Sequence, residues 1–162
     1  MTELKIGDAA PDFAVERDDG TTVSLADFKR KPVVVYFYPK DNTPGCTTEN
    51  KDFNAMADAF AKRGAVVLGV SPDTLASHQK FRAKHELTLP LAADPERKMI
   101  EAFGVWQPKK LYGKEFMGLV RTSFIIDTEG KIARIIRATK VAGHAEKVLA
   151  ELDAVLAQDQ QN

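Results

Sequence analysis

The chain has 162 residues, 44% of them hydrophobic, with a single cysteine and a formal net charge of zero from 23 basic and 23 acidic side chains. That length suits one domain of the usual ~100–200 residues, and the even charge without a basic block argues against an arm for nucleic acid or a membrane surface. One cysteine excludes an internal disulfide, a C-x-x-C redox pair and a cysteine-rich zinc site, so any disulfide has to be made with another molecule.

The N-terminal "MTELKIGDAAPDF" carries charges where a signal peptide needs an apolar core. No later apolar run approaches the ~18 residues of a membrane span. A soluble, cytoplasmic protein with one domain over 1–162 is expected. "FAVERDDGTTVSL" predicts a hairpin turning at Asp19-Gly20. "VVVYFY" (Val33 to Tyr38) and "VVLGV" (Val66 to Val70) are β-branched and aromatic runs of the kind that lie centrally in a sheet covered on both faces. Between them Phe53, Met56, Ala57 and Phe60 recur at helical spacing, and Gly64 follows as a stop. Strand, helix, strand is a right-handed parallel crossover.

Beyond Ser71 to Asp73, the segment Thr74 to Glu86 has a helical pattern, with Leu75, His78, Phe81 and Arg82 on one stripe. A short strand near Leu89 to Ala92 and a helix over Pro95 to Phe103 are predicted next. The glycine-punctuated segment Gly104 to Gly118 carries Trp106, Tyr112, Phe116 and Met117, which read as core and loop packing. "SFIID" and "KIARII" flank "TEG" as an antiparallel hairpin, and an amphipathic helix, Ala145 to Leu156, turns Val148, Leu149, Leu152, Val155 and Leu156 inward. A parallel crossover followed by an antiparallel hairpin and a covering helix is the element order of the thioredoxin fold. The class is α/β, a central mixed sheet flanked by helices, with the N-terminal hairpin and the segment between the two halves as additions.

The lone cysteine lies in "YPKDNTPGCTTEN". Thr43 suits the N-cap and Pro44 the first helical position, which puts Cys46 third in the helix. Free N–H groups and the positive end of the helix dipole there favour thiolate over thiol. Cys46 also sits at the carboxyl edge of a parallel sheet, where open α/β folds place ligands. Glu49 and Phe53 share its helix face with Met56 and Phe60, so the thiol looks inward. Three readings compete: a working thiol, an inert buried cysteine in a binding module, and a cysteine hydrolase or transferase. The last requires a histidine base, which nothing near the motif supplies.

Pro39-x-x-x-Thr43-x-x-Cys46 resembles the active-site signature of the peroxiredoxins, and "NTPGCTTE" is similar to the bacterioferritin comigratory protein, or peroxiredoxin Q, subgroup. "GDAAPDF", "FGVW" and "RTSFIIDTEGKI" extend the likeness over nearly the whole chain. The resemblance implies a thiol peroxidase in which Cys46 attacks a peroxide oxygen and becomes a sulfenic acid. It implies that the Thr43 hydroxyl and the Cys46 N–H hold the peroxide, that Arg121 stabilises thiolate and transition state, and that Pro39 shields the site from water. A free thiol of pKa ~8.5 gains only about thirtyfold from full ionisation. Most of a large rate gain must then come from donors aimed at the departing oxygen.

Glu49 alone would oppose a thiolate one turn away, so a pairing with Arg121 is inferred, in which the carboxylate aims the planar guanidinium fork. The alternatives are a solvated helix charge for Glu49 and a surface salt bridge for Arg121. Many subgroup members carry a second, resolving cysteine five residues after the first, where this chain has Lys51. The sulfenic acid must then be reduced by an external thiol, whether glutathione, a glutaredoxin, a thioredoxin or another protein. His78, His85 and His144 show no spacing with carboxylates that reads as a metal site, and neither metal nor cofactor is expected. His78, near the "SPD" turn, reads as a helix-surface or core-edge residue. One core accounts for the amphipathic patterns, so a monomer is expected.

Overall fold

A computed structural model describes residues 4–161 of the chain, so the outermost positions of the expected 1–162 domain lie outside it. In chain order the elements are β1 (Ala14–Arg17), β2 (Thr22–Ser24), a 3-10 helix (Leu25–Phe28), β3 (Val33–Phe37), α1 (Pro44–Ala55), α2 (Ala57–Lys62) and β4 (Val66–Ser71). They continue with α3 (Leu75–His85), β5 (Leu91–Ala93), α4 (Lys98–Ala102), β6 (Trp106–Leu111), β7 (Lys114–Leu119), β8 (Thr122–Ile126), β9 (Ile132–Arg137) and α5 (His144–Gln161).

Seven strands form one sheet in the order β2-β1-β5-β4-β3-β8-β9, and β6 with β7 forms a separate ribbon. β3 lies between parallel β4 and antiparallel β8, so the crossover and the hairpin halves meet on it. Alternation along β3 sends Val33, Val35 and Phe37 to one core with Phe13, Phe103 and Phe124, and Val34 and Tyr36 to the other with Cys46, Phe53 and Phe60. All five β3 residues are buried, which is why its sequence is an unbroken apolar run rather than an alternating one. Phe53, Phe60, Phe81 and Val148 carry α1, α2, α3 and α5 onto the second face, while Met99 and Ile100 carry α4 onto the first. Truncating Phe53 or Phe124 to Ala would cost about 3–5 kcal/mol. Tyr36 faces Gly69 across the β3–β4 pair, and a Cβ on Gly69 would lie 2.5 Å from the phenol oxygen. Only glycine leaves room for that ring.

The helix expected through Phe60 is broken at Met56, where the N–H bonds back three residues to the Phe53 carbonyl. Just before the break, Asn54 Oδ1 accepts from the Thr88 N–H at 2.7 Å, the Leu89 N–H at 3.1 Å and the Thr88 hydroxyl at 3.0 Å. That tie and Pro90, which has no N–H to give, explain why β5 starts at Leu91 and not Leu89. The helix expected from Pro95 begins only at Lys98, because Arg97 is left-handed (φ 60°) and the Ile100 N–H bonds to Asp94 Oδ2 at 2.8 Å.

The largest departure is the segment Gly104 to Gly118. It forms the β6–β7 ribbon, turning at Tyr112 (φ 52°) and Gly113 (φ 77°), the paired positive φ of a tight hairpin turn. Tyr112 is 96% exposed, and Leu111, Phe116 and Met117 are exposed too, so the core packing expected of Tyr112, Phe116 and Met117 does not occur. Trp106 is half-buried against the core, with the Arg97 guanidinium 4.4 Å above its ring.

Candidate active site

Pro44 opens α1 and Thr43 is its N-cap, so Cys46 lies in the first turn as expected, 1% exposed. The Gly45 and Cys46 N–H groups, at the second and third helical positions, have no intrahelical acceptor and point off the helix head. Thr43 caps by position only. Its hydroxyl donates to the Lys40 carbonyl at 2.9 Å instead of accepting from the helix, which leaves oxygen lone pairs free. A brace unforeseen in the sequence holds the turn: Asn50 Nδ2 donates to the Cys46 carbonyl at 2.9 Å, and the Tyr36 hydroxyl donates to Asn50 Oδ1 at 2.6 Å. Tyr36 is in turn stacked on Phe53, ring centroids 4.2 Å apart.

Arg121 enters from the residue before β8. One guanidinium nitrogen donates to Cys46 Sγ at 3.3 Å and the other to Glu49 Oε1. The structure thus brings together Cys46, Glu49 and Arg121 from sequence positions up to 75 residues apart. Gly45 lets the fork come close, since a Cβ there would lie 3.2 Å from the Arg121 nitrogen and 3.7 Å from Val141. Glu49 is neither a solvated charge nor at the surface. It is 1% exposed, and its second oxygen, Oε2, has no hydrogen-bond partner. Burial raises the Glu49 carboxyl to about 7 against the opposing pull of Arg121. Burial lowers the Arg121 guanidinium, but Glu49 and Cys46 outweigh it and raise the group overall.

Behind Glu49 stands His144, the first residue of α5, with Nε2 3.8 Å from Oε2 and 2.7 Å from the Ser123 hydroxyl of β8. Burial, reinforced by the charges of Arg121 and Lys147, holds this ring's pKa down to about 4. Sequence reasoning assigned neither His144 nor Ser123. Their one signal was a serine inside the buried strand β8 and a histidine at the start of α5.

Pro39 is half-buried at the end of β3, while Lys51 is exposed on the outer face of α1. Below the loop that joins Pro39 to Thr43, His78 is fully buried, contrary to the surface or core-edge position expected for it. Its Nδ1 lies 2.8 Å from Asp41 Oδ2 and its Nε2 3.0 Å from the Ala92 carbonyl. The reason is Asp41: buried, it collects Tyr38 and Ser77 hydroxyls as well, and these partners hold its carboxyl low although burial alone would raise it. With Asp73, which accepts from the Asp41 N–H at 2.7 Å, Asp41 and His78 bring three donor atoms within 4.8 Å. No sequence spacing announced that grouping, since Asp41 and His78 lie 37 residues apart. Its atoms are already joined by hydrogen bonds to one another and to Ser71, Ser77 and Tyr38.

A cysteine at a helix head with an arginine on its sulfur, on a thioredoxin-like sheet, defines a class of thiol enzyme, and comparison with known proteins gives the particular family. Residues 6–135 match the model of the AhpC/TSA family. The Peroxiredoxin Bcp of Bacillus subtilis is 48% identical over 149 residues, 92% of this chain and 95% of that protein. A cysteine mutant of Xylella fastidiosa PrxQ superposes with a TM-score of 0.89 at 37% identity, covering 96% of this chain and 99% of that one. The bacterioferritin comigratory protein of Xanthomonas campestris, described for its alkyl peroxide reduction activity, superposes at 0.85 with 42% identity, covering 93% and 96%. The chain belongs to the AhpC/TSA family and, within it, is a thiol peroxidase of the peroxiredoxin type with one cysteine. No helix among the described residues is long and apolar enough to cross a membrane.

Proposed function

We propose that Cys46 is the peroxidatic cysteine and that it works with Arg121, Glu49, Thr43 and Pro39. The observation that carries this is the guanidinium bridging Cys46 Sγ and Glu49 at the head of α1. In the reaction the Cys46 thiolate attacks the terminal oxygen of the peroxide. An S–O bond forms, the O–O bond breaks, and its electron pair leaves on the distal oxygen, which takes a proton from solvent to give water or an alcohol. Arg121 has further N–H donors beyond the two already used and directs them at the departing oxygen, together with the Cys46 N–H. Glu49 fixes the plane of that fork. Thr43 holds the peroxide as an acceptor: with its proton committed to the Lys40 carbonyl, its hydroxyl accepts from the O–H of the peroxide. Pro39 keeps water off the sulfur.

The sulfenic acid is then reduced from outside. A reductant thiolate attacks the Cys46 sulfur, hydroxide leaves and is protonated to water, and a second thiol releases Cys46 from the mixed disulfide. Lys51 supports this half of the cycle, because the position that would carry a resolving cysteine has no sulfur. Organic hydroperoxides are substrates beside hydrogen peroxide, a reading supported by the activity described for the X. campestris relative. The protein acts as a monomeric, single-domain antioxidant enzyme of the cytoplasm, a reading supported by the two faces of one sheet holding both apolar cores of the described residues. The test is peroxide consumption by wild type and Cys46→Ser with glutathione, a glutaredoxin and a thioredoxin. At least one of these should sustain turnover by wild type alone, and equal consumption by Cys46→Ser would sink the assignment.

A further inference from the structure

The triangle of Glu49 Oε2, His144 Nε2 and Ser123 Oγ is unexplained by the chemistry above. Oε2 is a buried carboxyl oxygen with no partner, an arrangement that costs on the order of 1–3 kcal/mol when it is permanent. The atom it faces, at 3.8 Å, belongs to a buried histidine. A shift of about 1 Å brings the two into hydrogen-bond range. Neutral imidazole is the side chain that can present either a donor or an acceptor at that one nitrogen, by carrying its proton on Nε2 or on Nδ1. The Ser123 hydroxyl, 2.7 Å from the same nitrogen, shares that nitrogen's one proton or lone pair with Oε2 and can rotate to match either state.

We propose that His144 is a positioning residue of the peroxide-reducing centre, a tautomer switch that donates to Glu49 Oε2 when the carboxyl is ionised and accepts from it when the carboxyl is protonated. The proton balance closes: on ionisation the Oε2 proton passes to Nε2 while the Nδ1 proton leaves for solvent. The ring is neutral before and after, and Glu49 changes from zero to minus one. With Glu49 neutral, the whole Arg121 charge acts on Cys46 and the departing oxygen. With Glu49 ionised, that charge is shared. The inference rests on the assignment of Cys46 and Arg121 as the reacting centre.

Several charged and titratable groups act on the triangle, and Cys46 acts on it through Arg121. Glu49 faces Arg121 from the residue before β8, His144 from α5, and Asp52 on its own helix, which acts to raise it. The Tyr36 phenol of β3, also within the field of Glu49, is held well above its ordinary range by burial and stays neutral. His144 feels Arg121 and Lys147, which both act against its becoming a cation. A neutral ring beside a carboxyl that titrates near neutrality is what a switch of this kind requires.

The test follows the rate of Cys46 oxidation by hydrogen peroxide against pH in wild type, Glu49→Gln, His144→Phe and His144→Gln, with Cys46→Ser as the control. A limb near pH 7, at the Glu49 titration, should appear in wild type and vanish in Glu49→Gln. His144→Phe should move it upward by about one pH unit, because an unpaired buried anion costs more than an unpaired buried acid. His144→Gln, whose amide can donate or accept, should bring it back. In wild type the ring-nitrogen NMR shifts of His144 should exchange tautomer at the pH where the Glu49 carboxyl carbon titrates, and this decides alone if the Phe variant does not fold. An unmoved limb in folded His144→Phe, or ring shifts constant through the Glu49 titration, overturns the proposal. An inactive Cys46→Ser beside such a result leaves the peroxidase assignment intact, whereas an active Cys46→Ser removes both.

Discussion

Two buried acid–histidine pairs flank the head of α1, and they are built to opposite ends. Asp41 and His78 are 2.8 Å apart, Asp41 takes two hydroxyls besides, and the ring's other nitrogen is held by the Ala92 carbonyl. Glu49 and His144 are 3.8 Å apart, with one carboxyl oxygen unpartnered. The first pair pins the loop that carries Pro39 and Thr43, and its carboxyl is held below the usual carboxylate range. The second leaves a carboxyl near 7 and a ring near 4, next to the reacting sulfur. A saturated pair fixes structure, and an unsaturated one leaves a charge free to change.

Loss of a partner should cost most at the saturated pair. Asp41→Ala takes the acceptor from buried His78 and from the Tyr38 and Ser77 hydroxyls and is expected to cost about 3–5 kcal/mol, read from urea unfolding. Next, Arg121→Lys keeps the charge but loses the fork that spans Cys46 and Glu49. Peroxide reduction is expected to fall on the order of 10²-fold in kcat/KM. A fully active lysine variant would refute the role given to the fork. Tyr36→Phe removes the donor to Asn50 and should destabilise by about 1–3 kcal/mol, with a slower Cys46 reaction as the brace on the first turn loosens.

The dependence of stability on pH separates the two members of the second pair. Glu49 is raised from 4.5 to about 7, so the folded state holds the extra proton and this group's stabilisation declines as pH rises across that window. His144 is lowered from 6.5 to about 4, so the unfolded state holds the extra proton and stability grows with pH between those values. Measured against wild type by denaturant titration at several pH values, Glu49→Gln should gain stability as pH rises from 4.5 to 7. His144→Phe should lose stability as pH rises from 4 to 6.5. Slopes of the same sign would contradict the opposite perturbation of the two groups.

The sequence made the first pair's neighbourhood and the Cys46–Glu49–Arg121 cluster legible to different depths. β3, β4, α1 and the β8–β9 hairpin could be read because each is a local period of apolar residues bounded by turn residues, and Thr43-Pro44 marks a helix start by local rules alone. Arg121 was reachable because Glu49 implied a cation and a familiar motif supplied one. His144 was not, since its partners Ser123 and Glu49 lie 21 and 95 residues earlier and no local pattern links them. His78 was misplaced for the same reason: an imidazole on a helix stripe looks like a surface residue until Asp41, 37 positions away, explains its burial. The β6–β7 ribbon escaped because Pro108 and the lysines at Lys109 and Lys110 break the strand pattern, and an exposed Tyr112 at its tip has no core to report.

The central claim is that Cys46 alone carries the oxidation half of the cycle and that reduction comes from another molecule. It is tested most directly by titrating the reduced protein with hydrogen peroxide in the absence of any thiol, followed at once by mass spectrometry. One equivalent of peroxide should be consumed per chain, with a gain of about 16 Da on the peptide that carries Cys46; added thiol should erase that gain, and a sulfenic-acid trap added first should replace it with the mass of the trap. Continued consumption without a reductant, or consumption that leaves Cys46 unmodified, would contradict the claim.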